Sequence, residues 1–295
     1  MRKHFYNYKI KHMIDFENYS RKMEDLTAQA SEIEENKRLT DAETREVLKT
    51  ILGCIDLTSL EGNDTNVKIF TICQHAQTFQ RKEEGIPNVA AVCFYSVFTE
   101  LAKSQLKGTG INVASVAGGF PSGLVPKEIK QAEVRYAVEH GADEVDVVIS
   151  RGYILANKCA EAHGQITGMR KAAGKARMKV ILETGELETV FKIRRASEVA
   201  ISGGADFIKT STGKIAPGAT PEAVIIMLDT IKEHYEKTGK MVGIKPSGGI
   251  SEPEDAIRYY LLVKEILGEK WLNKDYFRIG ASRLAHKIAA ILKDG

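Results

Sequence analysis

The chain has 295 residues, 43% of them hydrophobic, and a formal net charge of +3. That length suits one large domain or two small ones with an ample core, and so small a charge points to neither a nucleic-acid nor a membrane partner. No apolar run would span a bilayer, the N-terminus lacks the apolar stretch of a signal peptide, and four scattered cysteines without a Cys-x-x-Cys pair fit a reduced, cytoplasmic protein.

In chain order, residues 1–45 read as an N-terminal helical extension. Thr40 is its N-cap candidate before Asp41-Ala42-Glu43. Such an extension would close the bottom of a barrel or join a subunit interface. Beyond it, short β-type runs alternate with longer helical stretches. The runs cover 51–57, 89–95, 111–117, 144–150, 179–184, 206–210, 241–245 and 276–281, a spacing of about thirty residues, the size of a βα unit. Thr220-Pro221-Glu222 and Ser251-Glu252-Pro253-Glu254-Asp255 carry helix-start signals, with Ser251 as the expected cap of the second. Gly141 and Gly203-Gly204 mark helix ends, and the echo of Gly141-Ala142-Asp143 in Gly204-Ala205-Asp206 supports repeated units.

Eight βα units with near-continuous apolar strands predict an α/β fold, a (β/α)8 TIM barrel over residues 46–295. A doubly wound sheet would carry a Gly-x-Gly-x-x-Gly turn after its first strand. The chain has Asp56-Leu57-Thr58-Ser59-Leu60-Glu61 there.

Sites in such barrels lie at the C-terminal ends of the strands. The polar residues expected there are Asp56, Thr58, Asp146, Glu183, Lys209, Thr210, Lys245 and Ser282. Lys209 and Lys245 are the unusual ones, because each ends an apolar run, and lysine is almost never buried without a partner. A free lysine amine has a pKa of about 10.4 and is not nucleophilic at neutral pH. Desolvation and a second nearby cation both lower that pKa. Lysines ending adjacent strands can therefore work as a nucleophile and its charged tuner, although two lysines snorkelling to the barrel mouth would leave the same pattern. Asp146 lies inside an apolar strand and needs a partner. Taken alone it reads as well as half of a buried ion pair that only fixes the interior. The loops Ser211-Thr212-Gly213-Lys214, Ser247-Gly248-Gly249 and Gly280-Ala281-Ser282-Arg283 offer backbone N–H groups to a phosphate. Cys93 ends an apolar run and reads as a packed small hydrophobe, with nearness to a site as the alternative. No histidine spacing points to a metal.

Glu144-Val145-Asp146-Val147-Val148, Phe207-Ile208-Lys209-Thr210-Ser211-Thr212-Gly213 and Gly243-Ile244-Lys245-Pro246-Ser247-Gly248-Gly249 closely resemble the deoxyribose-phosphate aldolases, the DeoC family of class I aldolases. The similarity extends to Asp56-Leu57-Thr58-Ser59-Leu60, Leu182-Glu183-Thr184-Gly185-Glu186-Leu187 and Arg278-Ile279-Gly280-Ala281-Ser282, in one collinear order from about residue 47. The resemblance implies a lyase, free of metal and organic cofactor, that reversibly cleaves 2-deoxy-D-ribose 5-phosphate to D-glyceraldehyde 3-phosphate and acetaldehyde. It implies Lys209 as Schiff-base nucleophile, Lys245 as the lysine that tunes it, and Asp146 as acid/base partner through water. From the glycine loops and strand ends together with this resemblance, substrate and phosphate binding are expected at Thr212, Gly213, Lys214, Gly248, Gly249, Ser282, Arg283, Asp56 and Thr58. A cytoplasmic homo-oligomer, first of all a dimer, with no nucleic-acid or membrane partner, completes the expectation. Ser251 stands where members often carry arginine, and Arg283 where they often carry a second small polar residue, so Arg283 is expected either to take over part of phosphate recognition from the other loop or to point outward along its helix. The chain ends Lys293-Asp294-Gly295, without the tyrosine-bearing tail of some members. The alternatives are another class I aldolase acting on a different sugar phosphate, and a non-catalytic sugar-phosphate-binding barrel.

Overall fold

The computed structural model describes residues 14–36 and 39–294. Residues 1–13 and 37–38 of the expected extension lie outside the described residues. Helices α1 (Met23–Asn36) and α2 (Asp41–Leu52) precede β1 (Ile55–Thr58) and α3 (Asn66–Ala76). Then come β2 (Ala91–Tyr95), α4 (Thr99–Gln105), β3 (Asn112–Ala117), α5 (Lys127–Glu139), β4 (Glu144–Val148), α6 (Arg151–Leu155) and α7 (Cys159–Ala173). They are followed by β5 (Arg177–Ile181), α8 (Thr184–Leu187), α9 (Val190–Ser202), β6 (Phe207–Lys209) and α10 (Pro221–Thr238). The chain closes with β7 (Gly243–Lys245), α11 (Pro253–Leu267), β8 (Ile279–Ala281) and α12 (Leu284–Asp294).

The strands pair in parallel in the order β7-β6-β5-β4-β3-β2-β1-β8. Backbone bonds from Ile244 N to Tyr276 O (2.9 Å), Arg278 N to Ile244 O (3.0 Å) and Gly280 N to Pro246 O (3.0 Å) join β7 to the β8 run and close the barrel. The expected (β/α)8 barrel is what the chain forms. Apolar strands suit it because a parallel barrel buries both faces of each strand, one against the helices and one inside.

Local chemistry explains the element ends. Thr40 caps α2 in a reciprocal capping box with Glu43, and Thr220 caps α10 ahead of Pro221. The cap of α11 is Glu252, not Ser251. Proline takes the first helical position, so the cap falls on the residue directly before Pro253, and the Glu252 N–H donates to Asp255. Ile51 and Leu52, expected in the first strand, complete the last turn of α2 before Gly53. An apolar run does not separate a buried helical turn from a buried strand.

Within the extension, α1 buries Leu26, Ala30 and Ile33 against α10 and α11. Tyr19 Oη donates to Asp229 at 2.6 Å, and Arg21 pairs with the same carboxylate at 3.0 Å. The Arg194 guanidinium lies 5.2 Å from the Phe16 ring centre and 4.9 Å from that of Tyr19. This segment is thus a strap along the outer face of two barrel helices. The boundary expected at 45/46 falls inside α2, which packs on α11 and α12. The main apolar core fills the shell between barrel and helices, and a separate small cluster of Leu60, Cys93, Ala114 and Val116 is flanked by Tyr95 and Phe120.

Candidate active site

Strand alternation sends every second side chain inward. In register across the barrel, Asp146 stands beside Lys179, and Lys209 beside Lys245. Asp56 from β1, Glu144 from β4 and Arg278 ahead of β8 complete a buried ion cluster. Gly280 faces Lys245, and a Cβ there would lie 3.2 Å from Lys245 Cε and 2.9 Å from Ser247 Cβ. The glycine in β8 therefore makes room for the lysine stem.

One atom organises the cluster. Asp146 Oδ2 accepts from Lys209 Nζ at 2.9 Å and from Lys245 Nζ at 2.7 Å, while Oδ1 accepts from Lys179 at 2.9 Å. Lys245 also bonds Asp56, and Lys179 also pairs with Glu144. Arg278 joins the Asp56 and Glu144 carboxylates. Lys209 thus has one carboxylate partner where Lys245 has two. Among the buried side chains three carboxylates face four cations, and the partly exposed Arg177 adds a further contact to Glu144 at 3.3 Å.

The electrostatics follow from those partners. Burial pushes the Lys209 amine down, and the Lys245 charge adds to the effect against the opposing pull of Asp146. Burial also works to lower Lys245, but Asp146 and Asp56 outweigh it and hold that ammonium above its ordinary range. Lys179 is likewise raised by its carboxylates against burial. Asp146, although buried, is held well below the usual carboxylate range by Lys179, Lys209 and Lys245. Glu144 is pulled down to about 2 by Lys179 and Arg278 in spite of burial.

Cys93 Sγ lies 4.0 Å from Asp146 Oδ2, and burial pushes its thiol up to about 11. The small cluster around Cys93 is therefore an apolar wall next to the lysines, with the Tyr95 and Phe120 rings 5.7 Å apart in edge-to-face contact.

The glycine loops meet beside this cluster. Ala219 N donates to Ser247 O and Gly248 O at 3.0 and 3.1 Å, which ties the loop after β6 to the loop after β7. Gly248 has φ +83° and its position approaches Gly218, where only glycine fits on both counts. Gly213 and Gly249 also have positive φ. Thr212 is held by Glu183, and Lys214 reaches across the mouth to Glu61 at 2.9 Å. Arg283 stands exposed at the start of α12, and its side chain has no partner among the described residues. Thr58 and Ser282 share a cavity of about 260 Å³ with Glu61, His75 and His286.

The structure thus brings Lys209, Lys245 and Asp146 together. Asp56, expected at the substrate loops, lies instead in the buried cluster, where it accepts from Lys245 and Arg278. A carboxylate offers nothing to a phosphate and is repelled by it, whereas three cations, Lys245, Arg278 and Lys179 at 3.5 Å, hold it. Thr58 Oγ1 donates to Asp56 O at 2.8 Å. Lys179, Glu144 and Arg278 were not anticipated as members of the cluster, whereas the closeness of Cys93 is the less favoured of its two readings. Their signal was present: Glu144 stands two residues before Asp146, and Lys179 and Arg278 interrupt apolar runs.

Residues 50–259 match the family described as DeoC/LacD family aldolase. The deoxyribose-phosphate aldolase of Homo sapiens is 43% identical, over 79% of this chain and 77% of its own length. The Mus musculus deoxyribose-phosphate aldolase is also 43% identical, with the same coverage of both chains. Among solved structures, the deoxyribose phosphate aldolase of Aeropyrum pernix, described as a tetramer, superposes with a TM-score of 0.65 at 25% identity, covering 86% of this chain and 99% of that one.

Proposed function

The chain belongs to the DeoC/LacD family of aldolases and is a lyase acting on 2-deoxy-D-ribose 5-phosphate; we propose that it works through a Schiff base on Lys209, giving D-glyceraldehyde 3-phosphate and acetaldehyde. The observation that carries this reading is the single Asp146 oxygen shared by two lysines, of which only Lys209 is pushed toward its neutral form.

The neutral Nζ adds to C1 of the open-chain sugar, and the carbonyl oxygen leaves as water to give an iminium. The C3 hydroxyl passes its proton to a water oriented by Asp146. The C2–C3 bond breaks, its electron pair enters the iminium, and glyceraldehyde 3-phosphate departs. The remaining enamine takes a proton at carbon, water adds to the iminium, and acetaldehyde leaves. Lys245 keeps its charge throughout and so favours a neutral Lys209. The wall of Leu60, Cys93 and Val116 suits the methyl group of the two-carbon fragment. Backbone N–H groups of the Gly213, Gly248 and Gly249 loops, with Lys214, Ser282 and Arg283, are the candidates for the phosphate.

The reading also takes the enzyme as catabolic, cytoplasmic and homodimeric. The free cysteines are in keeping with a reducing compartment. Val97, Leu124, Ile129 and Tyr136 are exposed apolar side chains on and near α5, a surface suited to a second copy. Sedimentation velocity showing only monomer at micromolar concentration would refute the dimer.

Incubation with acetaldehyde, reduction with borohydride and peptide mapping test the mechanism. The expected adduct is on Lys209, and its absence there rejects the Schiff base. Assays of deoxyribose 5-phosphate against ketose phosphates then check the substrate.

A further inference from the structure

We propose that Arg278 and Glu144 are positioning residues for the reaction: they close a ring of alternating charges in the barrel interior, on which Lys209 hangs as the one surplus cation. This rests on the aldolase reading above.

Asp146 Oδ2 accepts from Lys245 Nζ at 2.7 Å, and the same ammonium lies 2.5 Å from Asp56 Oδ2. Asp56 Oδ1 accepts from Arg278 Nη1 at 2.5 Å. The guanidinium also donates to Glu144 through Nη1 at 3.1 Å and Nη2 at 2.7 Å. Glu144 pairs with Lys179, and Lys179 Nζ returns to Asp146 Oδ1 at 2.9 Å. Carboxylate and cation thus alternate all the way round: Asp146, Lys245, Asp56, Arg278, Glu144, Lys179. A cross-link of 3.5 Å joins Lys179 to Asp56. Strands β1, β4, β5 and β7 and the residue ahead of β8 supply the members. Lys209 of β6 is attached from outside, by one bond to the Asp146 oxygen that already carries Lys245.

The ring matches its own charges, Asp56, Glu144 and Asp146 against Lys179, Lys245 and Arg278, so a proton on Lys209 is the surplus in this buried set. Around it, Arg177 touches Glu144 at 3.3 Å and is matched by Asp275 at 2.9 Å. Asn112 donates to Glu144 at 2.8 Å, and Arg278 Nε donates to the backbone of the exposed Lys274. The Phe207 ring centre lies 5.9 Å from the Arg278 guanidinium. The Cys54 and Cys93 thiols, pushed up by burial to about 12 and about 11, are uncharged at neutral pH.

Arginine suits the closing position because its planar fork spans two carboxylates and keeps its charge. Without it, Asp56 and Glu144 keep an unmatched negative charge, and the field at Lys209 becomes more negative. Without the Glu144 charge that field becomes more positive. The two residues therefore act with opposite sign on the Lys209 ammonium, through the ring members between.

The test is the pH dependence of the acetaldehyde adduct on Lys209, trapped with cyanoborohydride, with the melting temperature measured beside it. Arg278→Gln removes a cation, so the ammonium is less opposed and the midpoint should move up by roughly 0.5 to 1 pH unit. Glu144→Gln removes an anion and should move the midpoint down by a similar amount. The double variant restores equal charges and should bring the midpoint back, while its melting temperature stays low. Arg278→Lys keeps the charge and should leave the midpoint in place. A purely structural pair would lower the melting temperature without that reversal of sign. An unmoved midpoint in either single variant, or two shifts of the same sign, overturns the proposal. Glu144→Gln is isosteric and decides alone should Arg278→Gln fail to fold. No adduct on the unmodified enzyme would reject the Schiff base itself, whereas an adduct whose midpoint ignores both substitutions would reject the ring alone.

Discussion

Lys130 and Lys209 are both withdrawn from water, yet only Lys209 shares a carboxylate with a second lysine. Lys130 on α5 lies outside the barrel and donates to Val148 O at 3.0 Å and Ser150 Oγ at 2.9 Å. It has no carboxylate ion pair among the described residues, and burial pushes it down to about 8. Lys209 shares Asp146 with a second cation and borders an apolar wall and the glycine loops. Depression of a lysine pKa is thus the common consequence of burial. What distinguishes Lys209 is its neighbourhood: a counter-charge that orients the amine and a second cation that opposes its protonation.

The sharpest way to break that comparison is to remove each lysine. Lys209→Met should abolish the borohydride-trapped adduct and lower kcat/KM by about 10⁴-fold or more. Lys130→Met should leave the adduct on Lys209 and move chiefly the melting temperature. An adduct on Lys130 in either protein would erase the distinction.

Lys245→Met comes next, with an expected fall in kcat of roughly 10²- to 10³-fold. The sign follows from charge: without the neighbouring cation the Lys209 ammonium is less opposed, so its pKa rises. The pH dependence of imine formation should therefore move to higher pH, and an unchanged profile would remove Lys245 from the tuning role.

The ion cluster also predicts acid sensitivity that the Lys130 region does not share. Glu144 falls from 4.5 to about 2 on folding. A depressed carboxylate contributes stability that is complete above its unfolded pKa and is lost as pH falls through the folded one. The unfolding free energy should thus drop between about pH 4.5 and 2, by a few kcal/mol from this group. Urea titrations at stepped pH measure it, and Glu144→Gln should flatten the slope.

The smallest expected effect concerns the exposed cation at the mouth. Arg283→Ser should raise KM for deoxyribose 5-phosphate by about 10-fold, in line with loss of one charged hydrogen bond, and leave deoxyribose unaffected. An equal loss on both substrates would place the phosphate elsewhere.

Much of this was legible in the residues. The periodic runs marked eight strands, and Lys209 and Lys245 were visible because each ends an apolar run before a glycine loop. Thr40 and Thr220 were readable as caps because capping is local. Lys179 and Arg278 were passed over because their partners lie on other strands: Asp146 is 33 residues from Lys179, and Asp56 is 222 from Arg278. Cys93 could be read as packing or as near a site, and the choice was open because its nearness to Asp146 exists only across the closed barrel.

The order of βα units, the placing of two lysines at strand ends and the glycine loops that follow them are properties of the sequence alone, because they depend on periodicity and neighbouring residues. Which lysine tends to lose its proton was decided by the tertiary structure. Barrel closure gives Lys245 two carboxylates and Lys209 one. It also turns Asp56 into a member of the ion cluster and sets Glu183 against Thr212. Charge interactions act through space, and only the folded barrel fixes those distances.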